Sequence, residues 1–316
     1  MKRHFWEFIN HALGITQLHS ELSQLIREQN NISRLLLGKQ LANQVRQHGI
    51  YEDIHDAEFK IFSQFGDDGI LQYLIQQTQP EHHTFIEFGV QDYSEANTRF
   101  LLVNDNWRGL IMDGNAQAMS ALRNDDLYWR HDLTAVGAFI TLENVNQLFR
   151  DNSFSGEIGL LSVDIDGNDY WVWEAVNSVN PVIVTMEYNS VFGAEHAITV
   201  PYDPVFHRAK AHYSNLYWGA SLKALCNLAD KKGYAFVGCN SNGNNAHFVR
   251  KDKVGKIPVK SAEQGYVESR FRESRNVNGN LSFLRGEERI AAIKDMRVVD
   301  VQTNMPVYLH DLFNLK

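Results

Sequence analysis

The stretch "YAFVGCNSNGNNAHFVR", residues 234–250, contains two apolar runs, 234–239 and 246–250, separated only by the turn-forming residues 240–245. Parallel neighbours need a crossover of about a dozen residues or more, so these two strands must pair antiparallel. Just ahead, a helical segment over 219–232 stops at Gly233, a residue suited to a helix C-terminus.

Upstream, strands and helices alternate. Residues 70–77 read as a helix, and "FIEFGV" (85–90) is a short apolar run, hence a buried strand. A helix over 95–104 follows, with Ser94 as its expected N-cap. Next come strand 109–114, helix 116–123, strand 128–133, helix 141–150, strand 158–167, helix 169–178 and strand 181–189. Strands separated by helices specify a mostly parallel sheet with helices on both faces. Closing that sheet on an antiparallel hairpin argues against a pure dinucleotide-binding sheet, whose last strands stay parallel.

Two segments lie outside this α/β core of residues 61–250. Within residues 1–60, Leu18, Leu22, Leu25, Ile32, Leu35 and Leu36 recur at helical spacings. They predict a helical extension, either packed on the core or joining copies into a homo-oligomer. Phe5, Trp6, Phe8 and Ile9 offer an apolar surface for a membrane but carry little positive charge beside it. The second segment is a C-terminal extension, 251–316, with Arg270, Arg272, Arg275, Arg285 and Arg289 close together. These suit either an acidic acceptor or a solvated, salt-bridged face.

Composition narrows the class. The 316 residues are 44% hydrophobic and 22% charged, as in an ordinary globular protein. With 30 basic and 38 acidic residues the net charge is −8, which disfavours nucleic acid as a partner. Cys226 and Cys239 form no zinc motif, and two buried thiols suit a reducing cytoplasm. No apolar run reaches the roughly 18 residues of a membrane span, and a secretion signal is not expected.

Ligands of open α/β sheets bind beyond the carboxyl ends of the strands. There the chain places Glu87 and Gly89, then Asp113, then His131 and Asp132, then Asp164 and Asp166, then Glu187 and Asn189. Asp113 is positioned either to hydrogen-bond both hydroxyls of a ribose or to cap helix 116–123. The loop after the first strand has a single glycine, too few for a pyrophosphate cradle. A ribose site without a phosphate cradle points to S-adenosylmethionine rather than NAD or ATP.

The blocks "FIEFGV", "GLIMDG", "LLSVDIDGNDYWVWEAV" and "PVIVTMEY" resemble class I S-adenosylmethionine-dependent methyltransferases, particularly the FkbM-like O-methyltransferases. The resemblance covers about residues 60–250. It implies a seven-stranded Rossmann-like sheet of order 3-2-1-4-5-7-6 and methyl transfer to a sugar or glycan-like hydroxyl. It also implies cofactor contacts at Glu87, Gly89, Asp113 and Asp132. Gln91 and Tyr93 stand where the family's first motif has further glycines, and Asn168 stands where a histidine is frequent.

The acids of the fourth and fifth strands also resemble those of metal-dependent sugar O-methyltransferases, which implies magnesium on Asp164, Glu187 and Asn189. Asp164 and Asp166 are the first candidates for proton transfer. Alternatively they contact the cofactor or cap helix 169–178. The long loop 190–217 adds Glu195, His196, His207 and His212, with His207 and His212 the preferred bases, and Tyr202, Tyr213, Tyr217 and Trp218 as stacking surfaces. Two other readings compete. Asp164-Ile165-Asp166 is a DxD, as in metal-dependent nucleotide-sugar glycosyltransferases, and the chain could be a catalytically silent scaffold with a methyltransferase fold.

Overall fold

A computed structural model describes residues 2–315, with the side chains of all but 2–8, 10–13, 15–16, 23–24 and 27–28. Phe5, Trp6 and Phe8, considered above as membrane contacts, therefore lie outside the described side chains. In chain order the elements are α1 (Lys2–His48), α2 (Asp67–Thr78), β1 (Thr84–Phe88), α3 (Arg99–Asp105), β2 (Arg108–Asp113), α4 (Ala116–Leu122), α5 (Asp126–Arg130), β3 (Leu133–Gly137) and α6 (Val145–Asp151). There follow β4 (Gly156–Val163), α7 (Asp169–Ala175), β5 (Val179–Glu187), β6 (Ile198–Thr199), α8 (Arg208–Ala211), α9 (Leu222–Lys231), β7 (Tyr234–Cys239) and β8 (Asn245–Arg250). The tail adds α10 (Ala262–Gly265), α11 (Glu287–Ala291), β9 (Arg297–Asp300), β10 (Met305–Tyr308) and α12 (Leu309–Leu312).

Seven strands form one sheet in the order β3-β2-β1-β4-β5-β8-β7. Counting only the strands of this sheet, that is the expected 3-2-1-4-5-7-6. β1 to β5 run parallel, and β8 joins β5 and β7 antiparallel. The hairpin turn is held by Asn240, whose side-chain oxygen accepts from the backbone N–H groups of Gly243, Asn244 and Asn245. Alternate strand residues feed two cores, Phe85 and Leu160 on one face and Ile86, Phe88 and Leu161 on the other.

The third strand differs from expectation. Residues 128–133 are not a strand: Asp125 caps α5 by accepting from the N–H of Leu127, and β3 begins only at Leu133. The first-strand loop also differs. Ser94 donates to Asp92 instead of capping a helix, and α3 starts at Arg99. The carboxylate of Glu87 fastens this loop, accepting from Asn97 N–H at 2.9 Å and from Thr98 N–H and Oγ1 at 3.0 and 2.5 Å.

The long loop and the tail fold together. β6 pairs with β9, and β9 with β10, so a second, three-stranded sheet spans both sides of residue 250. Its own apolar core includes Phe192, Ile198, Leu216, Ile293 and Val298.

α1 is one continuous helix, and among its described side chains the buried ones lie in its last third. Ala42 and Val45 are buried, Arg46 bonds Gln72 and Asp105, and Arg34 donates to the Ile61 carbonyl. Gly38 lets the helix approach Phe100, since a Cβ there would lie 2.7 Å from that ring. Leu18, Leu22, Leu25, Ile32 and Leu36 are all exposed.

One contact fixes the geometry of the strand ends. Gly89 has φ +70°, and a Cβ on it would sit 1.5 Å from the Asp164 carbonyl oxygen. Gly156 shares the φ of +70° but has nothing within 4 Å. Urea denaturation should therefore separate the two sites. Gly156→Ala is expected to cost about 1–2 kcal/mol, from left-handed strain alone. Gly89→Ala should cost roughly 2 kcal/mol more, because overlap is added to strain. Equal losses would show that the β1 and β4 turns can separate freely.

Candidate functional site

Beyond the carboxyl ends of β1, β2, β4 and β5 lies a cavity of about 400 Å³, lined by Gly89, Gln91, Asp113, Ile140, Asp164 and Glu187 among others. A second cavity of about 670 Å³ adjoins it, and Gln64, Phe139, Asp166, Glu187, Phe206 and Arg208 line both. The pair form one bent cleft, with Glu187 at the junction.

Each wall has a local cause. The loop carrying Gln64 and Phe65 is bent around Asp68, one of whose carboxylate oxygens accepts the N–H groups of Ile61, Phe62 and Ser63 at 2.7–2.8 Å. Asp113, at the end of β2, accepts from Gln91 N–H at 2.7 Å and Asn115 N–H at 2.6 Å. It ties the β1 and β2 turns together while keeping lone pairs for a ligand hydroxyl. The cap of α4 is Asn115, which accepts from Ala118 N–H, so Asp113 is not spent as that cap. Similarly Asp169 braces the turn after β4, accepting from Ile165 and Gly167 N–H at 2.8 and 2.9 Å. Asp164 is thereby left free to face the cleft.

Asp164 and Glu187 both line the cleft floor, close enough that each raises the other's proton affinity or is raised by it. Like charges this close favour one shared proton over two ionised carboxylates. Asp164 is half-buried, and Glu187 is buried with Oε2 lacking a protein hydrogen-bond partner. Loss of water, then mutual repulsion and Asp166, drive the proton affinity of Glu187 well above the ordinary carboxyl range. Loss of water, then Asp166 and Asp169, do the same to Asp164. Glu87 is also raised, to about 7, by burial opposed by its hydrogen bonds from Thr98 and Asn97.

Asp166 points differently. It is exposed, with φ +56°, and pairs with Arg208 at 2.7 Å. Arg208 also reaches Glu273 at 3.4 Å, donates to the Asn215 carbonyl and lies 4.4 Å from the Trp218 ring centroid. It was not among the expected site residues. Its only signal was its position next to His207 in a loop that had to neutralise several strand-end acids.

Three expected site residues are misplaced. Asp132 precedes β3, so it lies at the amino end of the sheet, 3.9 Å from Arg108 and away from the cleft. His212 bonds Ser214 at 2.7 Å, packs on Tyr213 and lines neither cavity. Asn189 spends its amide on structure, accepting from Val191 N–H and donating to the carbonyls of Leu216 and Trp218. Glu87, likewise, uses its carboxylate on the Asn97–Thr98 loop. Of the two preferred histidines, only His207 stands at the cleft, its ring 5.7 Å from Phe139.

The donor set does not fit magnesium. With Asn189 engaged and Asp166 paired with Arg208, only Asp164 and Glu187 remain of the expected oxygen ligands, and among the described residues no group of three or more His, Cys, Asp or Glu could hold a metal ion. For the DxD reading, Asp164 and Asp166 line the same cavity, but Asp166 is already paired with Arg208.

The expected stacking surfaces are replaced too. Tyr217 and Trp218 are buried, Tyr202 bonds Glu143, and Tyr213 lies beside His212. Phe65, Phe139, Phe206 and Phe271 line the second cavity instead, with the rings of Phe65 and Phe271 stacked at 5.8 Å. From the arginine cluster, Arg275 lines this cavity, Arg289 is buried on Ser269 and Glu273, and Arg272 covers Phe283. Both cysteines are free, and among the described residues no helix is long and apolar enough to cross a membrane.

No protein-family model matches the chain, and no curated protein does. Among solved structures it is similar to the DszA carbon methyltransferase, at 12% identity over 58% of this chain and 53% of that one, with a TM-score of 0.38. It is also similar to an O-methyltransferase from Bacillus cereus in complex with SAH, at 14% identity over 69% and 90%, with a TM-score of 0.37. An O-methyltransferase family protein from Burkholderia thailandensis is 12% identical over 65% and 60%, with a TM-score of 0.34. Identities and scores of this size assign neither an activity nor a substrate.

The carboxyl pair generates a pH expectation. A carboxyl that binds its proton more tightly folded than unfolded stabilises the fold fully below its unfolded value, near 4.5 for Glu187. That contribution is lost as pH rises toward the folded value. Glu187→Gln mimics the protonated acid, so its stability relative to wild type should rise between pH 5 and pH 8. Urea denaturation at a series of pH values should show the difference growing in the variant's favour as pH rises. A pH-independent difference would place the pair's proton elsewhere.

Proposed function

We propose that the chain is an S-adenosylmethionine-dependent O-methyltransferase of FkbM-like type acting on a sugar or glycan-like hydroxyl. The observation that carries this reading is the bent cleft, with Asp113 in one arm, aromatic walls in the other, and the Asp164–Glu187 pair where they meet. The sheet order and the closing antiparallel hairpin agree with it.

The first arm suits a nucleoside. Asp113 offers a carboxylate to the two ribose hydroxyls, and Gly89 keeps the β1 turn flat enough for close approach. Ile140 and Phe139 supply an apolar wall for a base. Bound there, S-adenosylmethionine supplies an electrophilic methyl group. The second arm suits a sugar, with phenylalanine faces for the ring and Arg208, Lys210, Glu273 and Arg275 for its hydroxyls.

The chain's own chemistry is positioning and proton transfer. With one proton shared between them, Asp164 and Glu187 retain one negative charge. That carboxylate accepts the acceptor's hydroxyl proton as the oxygen becomes methylated, leaving the pair neutral. Its high proton affinity makes it a stronger base than an exposed carboxylate. Arg208 holds Asp166 aside and keeps the cleft mouth from accumulating negative charge.

Calorimetry and kinetics test this together. Asp113→Ala should weaken S-adenosylmethionine binding roughly tenfold or more, about 1.5–3 kcal/mol, for a charge-assisted hydrogen bond. Asp132→Ala should leave it unchanged. Asp164→Asn should lower methyl transfer from labelled cofactor to a glycan acceptor by about 10²–10⁴ while cofactor affinity stays within roughly twofold. Wild-type rates should be the same with magnesium or with chelator. Full activity of Asp164→Asn would remove the pair from catalysis, and undetectable cofactor binding by wild type would overturn the reading.

A further inference from the structure

A helix of 47 residues is about 70 Å long, and among the described side chains of α1 those buried on the core lie near its end. Residues 15–36 carry a heptad pattern interrupted only at Gln29. Leu22 and Leu36 fall at position a, with Gln29 between them, and Leu18, Leu25 and Ile32 fall at position d. All five apolar residues are more than half exposed, from 52% for Ile32 to 64% for Leu18 and Leu36. The sequence continues the seam to Ile15 at the preceding a position.

This stripe is not a misplaced core face. Docking uses Arg34, Gly38, Ala42 and Val45, whereas the seam ends at Leu36. Two residues along a helix correspond to about 200° of rotation, so Leu36 points away from the surface that receives Gly38. The core cannot cover the stripe without releasing the docked end.

We propose that α1 forms a parallel, in-register two-stranded coiled coil with the α1 of a second copy of this chain. Three features select that occupant. An apolar stripe repeating at heptad spacing along one helix is matched in length and spacing by the same stripe on a second copy. Gln29 is a polar residue in an apolar seam. Its amide both donates and accepts, so it is satisfied by the same residue across a two-fold axis and left unpaired against leucine. The flanking charges fix the direction. Position g holds Glu21 and Glu28, and position e holds His19, Ile26 and Ser33. A parallel pairing sets Glu21 by Ile26 and Glu28 by Ser33 of the other copy. An antiparallel pairing would set glutamate against glutamate.

The test uses the full-length protein. Light scattering should give twice the chain mass for wild type and the single chain mass for Leu22→Glu/Leu25→Glu. The variant's thermal unfolding should stay close to wild type, since neither side chain touches the core. Gln29→Cys should form a reducible dimer on mild oxidation, because position a meets position a in register. A monomeric wild type, a double variant that stays dimeric, or a dimer in which Gln29→Cys fails to cross-link would each overturn the proposal.

Discussion

The backbone contact between Gly89 and Asp164 sets the shape of everything at the carboxyl end of the sheet. β1 and β4 are neighbours, and their turns touch where a side chain on residue 89 would strike the Asp164 carbonyl. With the β4 turn held there, and braced from behind by Asp169, the Asp164 side chain projects over the end of β5 and meets Glu187. The β1 turn, held in the same contact, passes within hydrogen-bonding reach of Asp113 through Gln91. One glycine thus brings the arm lined by Asp113 and the carboxyl pair to opposite sides of the same few residues.

Two buried glutamates show how position decides use. Glu87 ends β1 and Glu187 ends β5, both with little exposure. Glu87 accepts from two backbone amides and a threonine hydroxyl, so its charge is compensated by the loop it organises. Glu187 has a carboxylate oxygen with no protein partner and an acid for a neighbour. A buried polar group left unsatisfied costs stability, about 1–3 kcal/mol as a rule. Such groups concentrate where chemistry is done. That contrast separates an acid compensated by its loop from one left uncompensated, though the residue type is the same.

Most of the fold is legible in the chain because its signals are local. The short 240–245 turn forces an antiparallel closure, and the alternation of apolar runs with helical segments forces the parallel remainder. Asp113, Asp164 and Glu187 were visible as strand-end acids for the same reason. The errors came from competing local signals. Asp125 and Asp126 before "LYWR" form a helix start that outweighed the strand-like composition of residues 128–133, and this carried Asp132 to the wrong end of the sheet. Asn189 and His212 were lost to turns that consume their polar atoms. Arg208 and the phenylalanine walls could not be read, because they depend on a loop folding with a tail about 100 residues further on, Ile198 against Asp300. The heptad of α1 was legible, but only the structure separates its exposed stripe from its docked end.

The most direct measurement is a crystal structure with S-adenosylhomocysteine bound. The account expects the ribose hydroxyls within hydrogen-bonding distance of Asp113 and the sulfur facing the Asp164–Glu187 pair, with the phenylalanine-lined arm left open for the acceptor. A nucleoside seated elsewhere, or one whose sulfur points away from Asp164, would contradict it.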